Sequence, residues 1–306
     1  MQASTSTTHT PAARGLLFGF SASFLWGFSP LFWPLLEPAN AVEILCCRIV
    51  LGFIVIAVLL ALRHELSGIR HLESGTVWRL CAAGVAIAVN WGIYIWAVND
   101  GRVIETSLGY FINPLVTIAL GVVILHERLR AVQWAAVGLG LVAVTVVSFD
   151  YGRPPWIALA LACSFATYGF LKKKVRASPP GGLLIEGAVT SGPALVLLGV
   201  LALIGRATFV GHAASPGHLG LLLLAGPVTA VPLLFFAAAA TRLPLSTMGL
   251  LQYATPVIQF AIGVLILRET TSSALLFGFG LVWIALAILG FDGLRHRGRA
   301  PAVVAA

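Results

Sequence analysis

Charged side chains make up only 10% of the 306 residues, so each one set inside an apolar run is a candidate for chemistry. Arg48 is the sharpest. It stands seven residues into an apolar run that opens at residue 41, which on a helix rising 1.5 Å per residue is a depth of roughly 10 Å. A cation that deep in hydrocarbon is costly, and faces either protein or a water-filled cavity. Glu43 precedes it, and Glu186 occupies the corresponding part of a later run. Arg48 therefore reads as a functional or gating cation, as half of a structural ion pair, or as a side chain snorkelling to the nearer surface. Tyr110, Asn113 and Thr117 are spaced i, i+3, i+7 and share one helical face. Gln252, Thr255 and Gln259 repeat that spacing. Asn90 and Tyr94 are four apart, with Trp91 alongside. With Trp26, Tyr168 and Arg48, these residues are the candidates to line a substrate cavity. The alternative is interhelical hydrogen bonding, which membrane helices use routinely. Asn113-Pro114 and Thr255-Pro256 each lose a backbone bond one turn upstream, so Pro114 and Pro256 are either hinges or fixed kinks. Pro227 and Pro232 mark another run in the same way.

No catalytic constellation stands out. There is no Gly-x4-Gly-Lys-Ser/Thr, no His-Glu-x-x-His and no Gly-x-Ser-x-Gly. Cys46, Cys47, Cys81 and Cys163 sit in apolar runs without a Cys-x-x-Cys, and read as small core residues. All seven histidines fall in tails, gaps or loop edges, so a histidine-based metal site is not expected. No catalytic residue, metal or cofactor is expected.

The elements that must position these side chains follow from hydropathy. The chain is 59% hydrophobic, with a mean hydropathy of +0.97, where a soluble domain carries about 25% charged residues. Crossing hydrocarbon takes about 20 largely apolar residues. Ten such runs are expected, near 15–35, 41–62, 76–98, 106–125, 132–148, 155–171, 183–204, 219–240, 246–267 and 273–291. The first is long for a signal peptide, and is expected to be a retained helix. The runs are continuous where a membrane β-barrel would alternate, so the fold class is all-α integral membrane. The net charge of +8 sits in the gaps between runs, which suits membrane orientation better than a nucleic-acid partner. With the N-terminus in the cytoplasm, the outer face holds Arg48, Arg102, Arg153, Arg206 and Arg268, and the other 14 of the 19 Lys and Arg lie inside. The positive-inside rule then places both termini in the cytoplasm.

The chain also contains itself twice. Pro114 and Pro256, Gly121 and Gly263, Glu127 and Glu269, and Gly138 and Gly280 all stand 142 residues apart, and Trp26-Gly27 meets Tyr168-Gly169 in the same register. Chance among Leu- and Ala-rich helices explains matching apolar residues, but poorly explains Pro, Gly and Glu in register. The expected organisation is a cytoplasmic tail 1–14, a first repeat 15–148, a second repeat 155–291 and a basic cytoplasmic tail 292–306. Five helices per repeat force the second copy to enter the membrane inverted. Inverted repeats place a site near the midplane and allow the halves to rock.

The strings NWGIYIWAVNDGRVIETSLGYFINPL at 90–115, GVVILHERL at 121–129, FLWGFSPLFW at 24–33 and EILCCRIV at 43–50 resemble the RarD group of EamA-type proteins in the drug/metabolite transporter (DMT) superfamily. The resemblance spans nearly all the chain except the tails. It implies ten helices in two inverted repeats, secondary transport, and a group name tied to chloramphenicol sensitivity, without implying a substrate. The expected function is a secondary transporter, with export the expected direction, of small metabolites or drugs in the cell inner membrane. Its expected partners are a small-molecule substrate, the lipid bilayer and at most a second copy in a homodimer, with no nucleic acid. The alternatives are a membrane-embedded lipid-modifying enzyme, which would need a clustered acid/base set, and a non-transporting accessory protein, which repeat symmetry disfavours.

Overall fold

The structure is a computed structural model that describes residues 11–65, 72–126, 129–173, 175, 177–210, 215–240, 242–243 and 251–296. Among these lie ten α-helices and no strand: α1 (Pro11–Phe28), α2 (Ala41–Leu62), α3 (Ser74–Asn99), α4 (Val103–Leu125), α5 (Ala131–Tyr151), α6 (Trp156–Lys173), α7 (Pro179–Leu203), α8 (Pro216–Ala240), α9 (Ala254–Ala261) and α10 (Ser273–His296). By length and composition α2, α3, α4, α5, α7 and α8 can each cross a membrane, while α6, α9 with the turn after it, and α10 are shorter apolar helices. Local signals set their ends. The Asn40 side chain accepts from the amides of Val42 and Glu43, and Ser178 Oγ accepts from Gly181, two polar N-caps. Gly152 closes α5 at φ +62°, a left-handed conformation that glycine adopts without penalty.

Two expected runs are not single helices. The first, expected over 15–35, is helical from Pro11 but stops at Phe28, continuing as 3₁₀ turns at Ser29–Leu31 and Trp33–Leu36. Pro30 and Pro34 lack an amide hydrogen and crowd the carbonyl four residues back, so the α-ladder cannot pass them. In the ninth, expected over 246–267, residues 246–250 lie outside the described set. The chain turns at Tyr253, forms α9, and loosens into a π turn at Ile262–Ile266. Pro256 offers no amide to the carbonyl of Gln252, which accounts for the turn between them. Cys163, expected in a core, is exposed on α6.

Without a hydrophobic force between helices in lipid, close packing must hold them together. The principal pairs come in matched sets when α1–α5 are exchanged with α6–α10: α1–α8 with α6–α3, α1–α9 with α6–α4, and α2–α8 with α7–α3. α2, α4 and α5 pack against their own counterparts, α7, α9 and α10. Gly84 of α3 meets the backbone of α7, where an added Cβ would lie 2.9 Å from the Glu186 carbonyl oxygen. Gly226 of α8 meets the backbone of α2, where an added Cβ would lie 3.0 Å from the Leu51 carbonyl oxygen. These two glycines are themselves 142 residues apart.

Apolar side chains cover much of the outer surface, including Phe149, Leu195, Val196 and Leu203. Four of the exposed tryptophans stand near helix ends: Trp78 and Trp134 near the starts of α3 and α5, and Trp96 stacked on Trp156 where α3 ends and α6 begins. Amphipathic rings at both ends match a membrane protein's interfacial belts.

The loops at one end are tied together by polar contacts. Glu269 accepts from the first amides of α4, Val103 at 2.6 Å and Ile104 at 2.8 Å. Glu43 accepts from the amides of Thr208 and Phe209. Arg153 pairs with Glu105 at 3.1 Å, and Ser272 donates to Asp150. Glu127, the repeat counterpart of Glu269, lies outside the described residues.

Gly84→Ala and Gly226→Ala each force a methyl group into backbone, so each is expected to destabilise the protein by about 1–3 kcal/mol. Gly138→Ala, where nothing lies within 4 Å, should be neutral or slightly stabilising. Thermal unfolding of the purified variants in detergent checks this. Equal midpoints for all three would remove the close-packing account.

Candidate functional site

Tyr94 is the hub of a buried network built from both sequence halves. Its ring is 4% exposed and its hydroxyl lies 2.9 Å from Ser29 Oγ. The Ser29 proton goes to the Trp26 carbonyl at 2.7 Å, so Tyr94 donates to Ser29. Gln259 Nε2 donates to Tyr94 at 3.0 Å and to the Trp26 carbonyl at 3.3 Å. One turn away, the Asn90 amide donates to the Leu161 carbonyl and to Ser164 Oγ, both at 3.0 Å, while its oxygen accepts from Tyr110 at 3.1 Å. Every polar atom of Asn90 is therefore satisfied inside the protein. The break after Phe28 places Ser29 here, because the 3₁₀ turn brings its side chain back under Tyr94.

Arg48 lies beside this network, 5% exposed. Its guanidinium stands 4.1 Å from the Trp91 ring and 4.9 Å from the Trp33 ring. Among the described residues no carboxylate comes within 4.0 Å of it. Glu43, near in sequence, is engaged by Thr208, which also bonds His218 Nε2 at 2.7 Å. Glu186 is paired with Lys172 and accepts from Tyr168 at 3.2 Å. Two rings offset on the order of 4 kcal/mol of cation burial, against an effective penalty of several kcal/mol. The rings compensate the charge but not its donors: Nε is buried without a hydrogen-bond partner.

Arg48 lines a cavity of about 40 Å³ enclosed by α2, α3, α7 and α8. Its walls include Phe53, Trp91, Glu186, Thr190 and Thr229. Thr190 and Thr229 spend their hydroxyl protons on carbonyls of their own helices, so they bring little free polarity. At about 10–15 Å³ per water centre, the space is that of roughly three waters. The lining residues span the middle of α2, α3 and α8 and the first half of α7.

The structure thus joins the Trp26 carbonyl, Tyr94 and Gln259 in one hydrogen-bonded cluster and Asn90 and Tyr110 in a second, the two meeting where the Tyr94 and Tyr110 rings touch, 5.8 Å between centroids, and sets Arg48 next to them. Tyr168 is joined instead to the Glu186–Lys172 pair. No hydrogen bond ties the side chains of Asn113 or Gln252 to this network; Asn113 Oδ1 is buried without a partner. Thr255 donates to the Ser23 carbonyl at 2.9 Å. Of the two prolines, Pro114 sits inside continuous α4, whereas Pro256 sits in the first turn of α9, where proline costs least. Pro256 also accepts from Ser107 Oγ at 2.7 Å through its carbonyl. Sequence reasoning missed Ser29, Ser164, Lys172, Thr208 and His218. Pro30, immediately after Ser29, was the available signal for the first.

Tyr94→Phe removes one buried donor and one acceptor, and should cost about 1–3 kcal/mol of stability. Thr145→Val, at an exposed hydroxyl bonded within its own helix, should shift stability by less than about 0.5 kcal/mol. Thermal melts of both variants in one detergent compare them directly.

Residues 13–149 match the EamA-like transporter family. "Protein RarD" of Streptomyces exfoliatus is 51% identical over 290 residues, covering 94% of this chain and 91% of the relative. "Uncharacterized transporter YojE" of Bacillus subtilis is 39% identical, covering 94% and 97%, and "Protein RarD" of Escherichia coli is 39% identical, also covering 94% and 97%. A solved structure titled "Crystal structure of protein" superposes with a TM-score of 0.58 at 18% identity, covering 92% of this chain and 98% of its own, a likeness of fold alone. Full-length identity to RarD proteins, the family match over α1–α5 and a surface clad in apolar side chains have one reading: the chain belongs to the EamA family, in the RarD group of the drug/metabolite transporter superfamily, and is a multi-pass membrane transporter.

Proposed function

We propose that this protein is a secondary transporter that exports a small metabolite or drug-like molecule across the cell inner membrane, by alternating access between two inverted five-helix repeats. The observation that carries the reading is the placement of the Arg48 cavity. It is walled by two helices from each half, α2 and α3 against α7 and α8, in a packing pattern that survives exchange of the halves. A cavity bounded equally by two like units is where rocking of one against the other changes access. The 142-residue register, now including Gly84 and Gly226, supports the repeat. Odd helix numbers per repeat then give the inversion.

In the proposed orientation the tied loops face outward and both termini face the cytoplasm, as the Lys and Arg distribution favours. The contacts of Glu43, Glu105 and Glu269 then close the outer end, and the cavity lies beneath them near the middle of the bundle. The ion pair of Lys172 with Glu186 stands near its mouth.

Two measurements test this. Fusions at either terminus to a fluorescent protein that matures only in the cytoplasm should fluoresce, and fusions to alkaline phosphatase should stay inactive. An active C-terminal phosphatase fusion would remove the inverted topology. Separately, Thr190→Cys in a background without the four native cysteines should react with a membrane-impermeant maleimide in inside-out vesicles. Protection from both membrane sides, beside reactive loop controls, would favour a packed interior over an access route.

A further inference from the structure

We infer that the Arg48 cavity is the anchor for a single carboxylate, and that the transported molecule is a monoanionic organic acid with an apolar or aromatic body. The inference rests on the transporter reading and adds a substrate class to it. Its first support is charge. The ionisable side chains lining the cavity are Arg48 and Glu186. Glu186 is neutralised by Lys172 and further bonded by Tyr168, so one positive charge is left over. A monoanion balances it. A phosphate monoester, carrying about −1.5 to −2 at neutral pH, would overshoot.

The second support is hydrogen bonding. Arg48 presents a planar fork of donors matched to a carboxylate, and among the described residues no acceptor takes them. The aromatic rings of Trp91 and Trp33 hold the cation's place without consuming a donor. The third support is shape and polarity. A space of about 40 Å³ holds a carboxylate group and little more. Apart from Thr190 and Thr229, whose hydroxyls are spent on their own helices, the remaining wall is apolar, with Ile49, Phe53, Ile87 and Leu233 beside Arg48. The body of the acid would lie along that wall once the helices part. A cation would meet Arg48 with like charge. A neutral amide would offer one acceptor where two are wanted.

The test uses the purified full-length protein in detergent, titrated with benzoate, phenylacetate and indole-3-acetate, then with benzamide, phenylacetamide and phenethylamine. Binding is followed by tryptophan fluorescence, since Trp33 and Trp91 flank the cation, and by thermal shift. Saturable binding of the acids in preference to their amides and to the amine is expected. Arg48→Gln should weaken acid binding by about tenfold or more, the worth of a charge-assisted hydrogen bond. Arg48→Lys, which keeps the charge but loses the fork, should fall between. Amide binding equal to acid binding, acid binding unchanged in Arg48→Gln, or no saturable binding of any of the three acids would each overturn the inference. Should Arg48→Gln elute as aggregate, the acid-over-amide ratio in the unsubstituted protein and the Arg48→Lys variant decide. Counterflow of radiolabelled phenylacetate in proteoliposomes separates the two levels. Acid binding without flux keeps the Arg48 site and removes the transport reading. Flux of phenylacetamide that is indifferent to Arg48→Gln keeps transport and removes the carboxylate site.

Discussion

Lipid tails are as apolar as leucine, so burying one greasy helix against another gains nothing from expelling solvent. What remains is contact at short range and hydrogen bonding between helices, and this fold draws on both at defined points. Gly84 and Gly226 let α3 reach the backbone of α7 and α8 reach that of α2. The same absence of solvent makes each buried donor or acceptor a liability until it is paired. The Tyr94 network pairs them in sequence: the Ser29 hydroxyl serves the Trp26 carbonyl and frees Ser29 Oγ to accept from Tyr94, while Gln259 reaches back from α9 to both. Because α1 carries Trp26, α3 carries Tyr94 and α9 carries Gln259, the network fixes both halves around the Arg48 cavity.

The two ends of the bundle are built differently. One end joins α4 to the loop before α10, α2 to the loop before α8, and α4 to the loop before α6, through carboxylates that accept from backbone amides or from arginine. Capping by Glu269 is favourable twice over, since it satisfies exposed amides and meets the positive end of the helix dipole. Burial raises the Glu269 carboxyl above its usual pKa, and its two amide bonds oppose that shift. At the other end, the described ties include the Lys172–Glu186 pair and the Tyr168 bond within the α6–α7 hairpin. The proposed rocking of the halves would pivot at the end where the carboxylate contacts are strong.

Much of this was legible from the chain because hydropathy and charge are coarse, additive signals. Run 41–62 coincides with α2, and most other runs fall within a few residues of their helices. The errors came where a specific backbone group decided the outcome. Pro30 and Pro34 end α1 early, and Pro256 with the π turn divides the ninth run, yet none of the three prolines lowers mean hydropathy enough to show. At the site, spacing identified which residues share a helix face but not which helix they meet. The bond of Tyr110 to Asn90 and that of Gln259 to Tyr94 needed the arrangement of α3, α4 and α9. Asn113 and Gln252 have the same spacing and no tie to the network, and Asn113 Oδ1 is buried without a partner. Tyr168 was placed with Trp26 by register, but α6 carries it toward Lys172 and Glu186.

Arg48 is the point at which the three sequence readings separate. An ion pair would need a carboxylate within 4.0 Å, and the two nearest in the argument are occupied, Glu43 by Thr208 and Glu186 by Lys172. Snorkelling would carry the guanidinium to an interface and leave it exposed, whereas it is 5% exposed with Nε shut off. Cation–π contact with two tryptophans makes the burial tolerable without consuming a donor, and the residue lines the cavity. A purely structural arginine gains by spending its donors on carbonyls at the ends of nearby helices, as Arg242 does on Ala238. Arg48 spends none on the described residues around it. A folded interior that holds a cation in place while leaving its donors unmade is organised for an acceptor that comes and goes.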